Sequence, residues 1–138
     1  MPFVLDASVT LAWAFEDEAT PATEALLDRV RDEGGIAPAV WPLEVANGLL
    51  LGERRGRLAE AQTMRFVQTL QGLPISVDDG ALGEAFGAVL TLGREHGLTT
   101  YDAAYLELAA RQGLPLATLD ARLGAAAERM GVPLLNGG

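Results

Sequence analysis

The sequence contains no lysine and no cysteine, and it has a single histidine. Without lysine it can form neither a phosphate-binding loop that ends in Gly-Lys-Ser/Thr nor a Schiff base with a carbonyl substrate. The lack of cysteine excludes disulfides and iron–sulfur clusters, and one histidine alone cannot build a structural zinc site. The missing disulfides fit an intracellular protein. Any bound metal ion would therefore take oxygen ligands.

Positive charge is also scarce, since ten arginines stand against nineteen acidic residues and the net charge is -9. This balance excludes a surface that attracts nucleic acid by bulk charge, so an anionic substrate must be held locally. No apolar run approaches the ~18 residues of a membrane span, and the opening MPFVLDASV has no basic start. We therefore expect one domain, residues 1–138, of a soluble cytoplasmic protein with no membrane partner.

Short β-type runs alternate along the chain with longer amphipathic stretches, which is typical of parallel strands joined by helices. We predict strands at 3–5, 36–40, 74–77, 115–119 and 132–135. We predict helices at 8–15, 20–34, 41–55, 59–71, 78–95, 101–112 and 121–130. Ser8 and Thr20 are the expected caps of the first two helices. The predicted fold is α/β, with a central parallel sheet of about five strands.

Aspartates follow two of the predicted strands directly, Asp6 after the first and Asp120 after the fourth. The carboxyl ends of strands are where ligands bind in an open parallel sheet. A third, Asp102, opens a predicted helix. Aspartate also caps helices and complements the positive end of the helix dipole. Position alone therefore leaves capping and ligand binding open for all three.

Glu44 and Asn47 are the only polar side chains in the otherwise apolar stretch WPLEVANGLLLG. They lie three residues apart and so share one face of the predicted helix. Burying a carboxylate there is costly unless a cation or hydrogen-bond donors face it. An exposed glutamate that complements the helix dipole is the alternative. We interpret Glu44 as functional and Asn47 as a supporting residue.

If Glu44 and the three aspartates converge at one end of the sheet, either some of them are protonated or a cation binds among them. Two like charges ~4 Å apart repel by about 4 kcal/mol at an effective dielectric of 20. Oxygen-only ligation selects Mg²⁺ or Mn²⁺ among common metals, and Ser8 and Thr118 can hydrogen-bond the ligands or a bound water. Such a site is suited to hydrolysis of phosphodiester bonds and needs no histidine base.

Four segments, in this order and at these spacings, resemble the PIN-domain family and in particular its VapC-like ribonuclease toxins. They are VLDAS at 4–8, PLEVANGLL at 42–50, YDAAYLELA at 101–109 and PLATLDARL at 115–123. The resemblance implies a three-layer α/β/α fold. It also implies a metal-dependent endoribonuclease that leaves a 5′-phosphate and a 3′-hydroxyl, uses Mg²⁺ or Mn²⁺, forms a homodimer and is neutralised by a cognate antitoxin.

The resemblance also implies roles for individual residues. The acidic cluster of the family is matched by Asp6, Glu44, Asp102 and Asp120, with Asp6 and Asp102 as direct metal ligands. Its supporting hydroxyl positions are matched by Ser8 and Thr118. The stretch 54–98 matches nothing specific, which leaves the choice of RNA open.

Other classes of protein fit less well. A phosphoacceptor receiver domain needs a lysine, and a dinucleotide-binding fold needs Gly-x-Gly-x-x-Gly where this sequence reads DASVTL. Two PIN-like alternatives remain: an RNA-processing nuclease without an antitoxin, and a catalytically inactive binding module. The filled acidic positions favour an enzyme. The only basic cluster, Arg54, Arg55 and Arg57, is either an RNA contact or a solvated helix end.

Overall fold

The chain forms a parallel sheet flanked by helices in a computed structural model that describes residues 1–80 and 82–135. The strands are β1 (Phe3–Leu5), β2 (Gly35–Pro38), β3 (Ile75–Asp78) and β4 (Leu116–Ala117). The helices are α1 (Ala7–Ala14), α2 (Pro21–Glu33), α3 (Trp41–Arg54), α4 (Glu60–Gln71), α5 (Leu82–Glu84), α6 (Leu90–His96), α7 (Thr100–Gln112) and α8 (Ala121–Met130). A π-helical turn, Ala85–Val89, joins α5 to α6. The predicted alternation of strands and helices is confirmed.

The strands lie in the order β3-β2-β1-β4, and each neighbouring pair is parallel. The described residues thus hold four strands instead of about five. The predicted strand 132–135 makes only one parallel bridge, between Leu116 and Leu134. Pro133 accepts from the Leu116 amide at 2.9 Å but has no N–H to donate, which limits pairing at this edge.

Several predicted element ends were wrong. Asp6, not Ser8, occupies the N-cap position of α1, because the backbone leaves the extended conformation immediately after Asp6. The strand predicted at 36–40 ends at Pro38, since Val40 already has helical backbone angles before α3. The helix predicted from residue 78 begins later, because Asp78 pairs with Pro38 in the sheet; position 81 lies outside the described residues. Thr20 caps α2 as expected, in a reciprocal pair with Thr23.

The hydrophobic core forms where the helices pack on the sheet, and it positions the helices that carry the acidic residues. All three residues of β1 and Tyr105 of α7 have no exposed surface. The Trp41 indole N–H, at the start of α3, donates to the buried Thr10 hydroxyl of α1 at 3.0 Å. This bond ties the first turn of α3 to the helix that follows β1.

Helices α1 and α3 approach closely because α3 carries glycine where they meet. A Cβ on Gly52 would lie 2.7 Å from two atoms of the Phe15 ring. Arg57 covers that ring, with its guanidinium carbon 4.0 Å from the centroid. The ring therefore has little room to move away. None of the described helices is both long enough and apolar enough to cross a membrane.

We expect Gly52→Ala to lower the free energy of unfolding by about 1 kcal/mol, because overpacking costs about 1–3 kcal/mol and the higher helix propensity of alanine offsets about 1. Gly87→Ala is the matched control, since a Cβ there meets nothing within 4 Å; it should raise the free energy of unfolding. Urea denaturation measures both. A Gly52→Ala protein as stable as the Gly87→Ala protein would contradict the tight contact between α1 and α3.

Candidate active site

The four predicted acidic residues all lie on one edge of the sheet, at the carboxyl ends of its strands. Asp6 follows β1 and Asp120 lies three residues beyond β4. Glu44 is in the first turn of α3, and Asp102 is in the first turn of α7. We call these four residues the acidic cluster. The topology thus brings together residues that are far apart in the sequence.

Asp6 is the most buried member of the acidic cluster, with 5% of its surface exposed. Its Oδ2 accepts hydrogen bonds from the Ser8 hydroxyl at 2.6 Å and the Thr118 hydroxyl at 2.7 Å. Although Asp6 stands at the N-cap position of α1, its side chain makes no capping hydrogen bond. Helix capping therefore does not account for this carboxylate.

Ser8 and Thr118 connect Asp6 to the chain that follows β4, and we call this pair the hydroxyl bridge. The Ser8 hydroxyl accepts from the Leu119 amide at 2.9 Å, and the Thr118 hydroxyl accepts from the Asp120 amide at 3.0 Å. Each hydroxyl thus uses its proton for Asp6 and an oxygen lone pair for a backbone N–H. Both predicted supporting residues lie where they orient the Asp6 carboxylate.

The other two aspartates differ in how far capping explains them. Asp120 is the N-cap of α8, where its Oδ1 accepts from the amides of Arg122 at 2.9 Å and Leu123 at 3.1 Å. Capping therefore accounts for Oδ1 of this residue. Asp102 is not the cap of α7, because Thr99 fills that role and accepts from the Asp102 amide at 3.1 Å. Asp102 lies in the first turn of α7, and its carboxylate makes no capping bond there.

Glu44 is held by a residue that sequence reasoning missed. The Tyr105 hydroxyl donates to Glu44 Oε1 at 2.7 Å and accepts from the Ala7 amide at 3.4 Å. One buried side chain of α7 thereby contacts α3 and the first residue of α1. The sequence contains one signal for the role of Tyr105, because Tyr105 follows Asp102 by three positions and therefore shares its helix face.

Asn47 is not brought into this arrangement. It is exposed on α3, one turn beyond Glu44. A fixed role for Asn47 at the acidic cluster stays a prediction.

Burial and mutual repulsion raise the pKa of three members of the acidic cluster. Burial is the largest cause for Asp6, and the hydroxyl bridge opposes it. Burial also raises the pKa of Glu44, with further contributions from the charges of Asp6 and Asp102. The pKa of Asp102 is raised by burial and then by Asp120 and Asp6, while Arg122 opposes the shift. The carboxylates therefore act on one another and favour a nearby cation.

The donor set has the chemistry of a hard divalent ion, because it consists of carboxylate and hydroxyl oxygens. As the side chains stand, the described residues contain no group of three or more aspartate, glutamate or histidine side chains close enough to hold a metal ion. The acidic cluster is thus a set of neighbouring carboxylates and not a closed coordination shell. Its donor types fit Mg²⁺ or Mn²⁺.

The basic cluster of the sequence does not act as one surface. Arg57 donates to Asp17 at 3.0 Å and Glu18 at 2.7 Å, besides covering Phe15. These contacts give Arg57 a structural role. Arg54 and Arg55 are exposed at the end of α3.

The structure places this protein in the class of parallel α/β folds that carry oxygen donors at the carboxyl ends of their strands. Comparison with known proteins then identifies the family. The PIN domain profile matches residues 3–129. The chain therefore belongs to the PIN domain family, and both the predicted resemblance and the predicted fold class are confirmed. Over 123 residues it is 31% identical to Ribonuclease VapC3 of Pyrobaculum aerophilum, a match that covers 89% of this chain and 92% of that protein.

Solved structures show the same fold. The crystal structure of PAE2754 from Pyrobaculum aerophilum superimposes with a TM-score of 0.70 at 27% identity, covering 91% of this chain and 86% of that one. FitAcB from Neisseria gonorrhoeae superimposes with a TM-score of 0.67 at 19% identity, covering 98% and 97%. The second likeness concerns the fold alone.

The raised pKa of Glu44 predicts how stability changes with pH. A carboxyl group whose pKa is higher in the folded state binds its proton more tightly there, so its contribution to the free energy of unfolding falls as pH rises above about 4. Glu44→Gln removes this loss and keeps an acceptor for Tyr105. We expect the metal-free variant to gain stability relative to wild type as pH rises from about 4 to 7.

Chemical denaturation across this pH range measures the difference. Glu24→Gln is the matched control, since Glu24 occupies the same fourth position of α2 but is exposed. A Glu44→Gln protein whose stability relative to wild type falls with rising pH would contradict the raised pKa of Glu44.

Proposed function

We propose that this protein is a metal-dependent endoribonuclease and the toxin component of a toxin–antitoxin pair. The observation that carries the proposal is the buried Asp6 carboxylate. It is fixed by the hydroxyl bridge and surrounded by Glu44, Asp102 and Asp120, in a chain 31% identical to a named ribonuclease. Because Asp6 makes no capping bond, its burial needs another reason, and ligation supplies one.

The acidic side chains of this chain would supply the oxygen ligands and the negative charge around the proposed metal ion. Asp6 and Asp102 would hold Mg²⁺ or Mn²⁺ directly, and Glu44 and Asp120 would add negative charge around it. The bound ion would supply a water of lowered pKa and offset charge on the phosphate. Tyr105 holds Glu44 Oε1 at 2.7 Å, and the raised pKa of Glu44 suits a carboxylate that takes up a proton.

All four acidic positions are filled, which supports an enzyme over a catalytically inactive binding module. The buried hydrogen bonds at Asp6 and Glu44 support the same choice, because a module that only binds has no need to orient two carboxylates. The proposed cofactor is Mg²⁺ or Mn²⁺, and the proposed substrate is single-stranded RNA. The alternative of an RNA-processing nuclease shares this chemistry and differs only in lacking the antitoxin.

For the partner, we propose a small antitoxin that binds an apolar groove between α3 and α4. The groove has a volume of about 620 Å³, and Val45, Leu49, Leu50, Val67 and Leu70 are among its lining residues. It lies apart from the acidic cluster, so we assign it to binding and not to catalysis. Glu53 also lines the groove, and the net charge is -9. An antitoxin segment with apolar residues and flanking basic ones fits this surface. We further propose a homodimer.

Metal dependence is tested by cleavage and by thermal melting. The protein should cut single-stranded RNA with Mg²⁺ or Mn²⁺ and lose this activity in chelator. Calcium should not restore it, since its looser coordination positions water poorly. Mn²⁺ at 100 times the dissociation constant should raise the free energy of unfolding by roughly 3 kcal/mol. Asp6→Asn and Asp102→Asn should lose most of this gain and at least about 100-fold in cleavage, more than outer-shell changes usually cost.

Two further variants make the test specific. Asp120→Asn should retain the cap of α8, because asparagine caps as well as aspartate, and it should lose less of the Mn²⁺ gain. Asp32→Asn, at an exposed position of α2, should behave as wild type. Undiminished cleavage in chelator, or an Asp6→Asn protein that keeps both activity and the Mn²⁺ gain, would refute the assignment of the site.

The antitoxin proposal predicts that the product of a neighbouring gene relieves growth arrest on co-expression and binds more weakly as salt rises.

Leu50→Gln should weaken that binding by about 10-fold and leave RNA cleavage unchanged, because Leu50 lines the groove and is 42% exposed. Met64→Gln on α4, 55% exposed, is the control. Calorimetry measures the binding, and light scattering gives the dimer mass. Continued arrest on co-expression would contradict the toxin role, and a stable monomer the homodimer.

A further inference from the structure

A second cavity lies beside the acidic cluster, and its lining belongs to neighbouring elements of the same sheet edge. It has a volume of about 420 Å³, within the range of about 300–1,000 Å³ for small-ligand pockets. Residues that follow β2 and β3 line it together with the first half of α7. We call it the side cleft.

Helix α7 places the side cleft next to the acidic cluster. Tyr101, Ala104 and Leu108 line the cleft and share one face of α7. Asp102 and Tyr105 each follow a lining residue and so occupy the adjacent face. Tyr105 contacts Glu44 from that face at 2.7 Å. A chain whose phosphate lies at Asp102 therefore has its neighbouring groups beside the cleft.

The charges that line the side cleft determine which chemical groups can bind in it. The charged side chains among its described lining residues are all acidic and include Asp78, Asp79 and Glu107. Phosphate meets no cation among these lining residues, although Arg111 offsets part of the acidic charge by pairing with Asp78 and Glu107, whereas a neutral ring needs no cation. Val40, Val89, Ala104 and Leu108 supply apolar contact for a ring. Arg111 pairs with Asp78 at 2.9 Å and Glu107 at 2.7 Å, which holds two walls of the cleft in place.

Tyr101 stands at the opening of the side cleft and is 60% exposed. An exposed aromatic ring next to a nuclease site is suited to stack on a base, and single-stranded RNA is commonly bound in this way. On the basis of the proposed function, we infer that the side cleft binds the base adjacent to the scissile phosphate, with Tyr101 as its stacking platform.

The experiment combines binding with cleavage, so that the two proposals are tested separately. Fluorescence anisotropy measures binding of labelled single-stranded RNA in Ca²⁺, with oligonucleotide sets that vary one base at a time. Tyr101→Ala should weaken binding about 10- to 100-fold and raise KM with little change in kcat. Tyr101→Phe should retain binding, since its ring still stacks. The Mn²⁺-induced stabilisation should be unchanged in both variants.

Phe86→Ala is the control, because Phe86 is 72% exposed and is not among the residues that line the cleft. Wild-type cleavage with no effect of Tyr101→Ala on RNA binding would overturn the inference alone. Tyr101-dependent RNA binding without cleavage in any metal would support the cleft and refute the nuclease. No RNA binding by wild type would overturn both. Loss of a protein partner in Tyr101→Ala, with RNA binding intact, would reassign the cleft to that partner and overturn the inference.

Discussion

The arrangement of this protein depends on one buried carboxylate and the two hydroxyls that hold it. Asp6 leaves the central strand β1 with 5% of its surface exposed, and its Oδ2 accepts from Ser8 and Thr118. The same hydroxyls accept the amides of Leu119 and Asp120. A single carboxylate thus connects β1, α1 and the segment between β4 and α8. Charge-assisted hydrogen bonds of this kind are about twice as strong as neutral ones, which makes the junction rigid as well as polar.

Tyr105 performs the corresponding task on the other side of the acidic cluster. Its hydroxyl is buried in the core, where an unpaired polar group would be costly, and it finds both an acceptor in Glu44 and a donor in Ala7. The core and the site are therefore not separate features of the molecule. The same side chain that fills space under β1 also sets the direction of Glu44. Burial and, after it, repulsion among the carboxylates raise their pKa values, which is the physical cost of placing them there.

The acidic surface limits how this protein can bind RNA in the proposed function. Bulk attraction is absent at a net charge of -9, and Arg57 is occupied by Asp17 and Glu18. In the proposed function, recognition of RNA therefore relies on an ion held by the acidic cluster and on neutral contacts nearby. In the inference above, the apolar walls of the side cleft provide these neutral contacts.

From the sequence we could predict the alternation of strands and helices, the cap at Thr20, the oxygen-only donors and the acidic residues that follow strands. These follow from local spacing and from composition, which a single chain displays directly. The packing of distant elements decides the rest. It makes the side chain of Asp120, and not that of Asp6, a helix cap, and it brings Tyr105 into the site. It also leaves Asn47 exposed and limits residues 132–135 to a bridge instead of a strand. The reason is that these outcomes depend on partners such as Asp6 and Thr118, 112 positions apart, and no local pattern records which distant hydroxyl a carboxylate will meet.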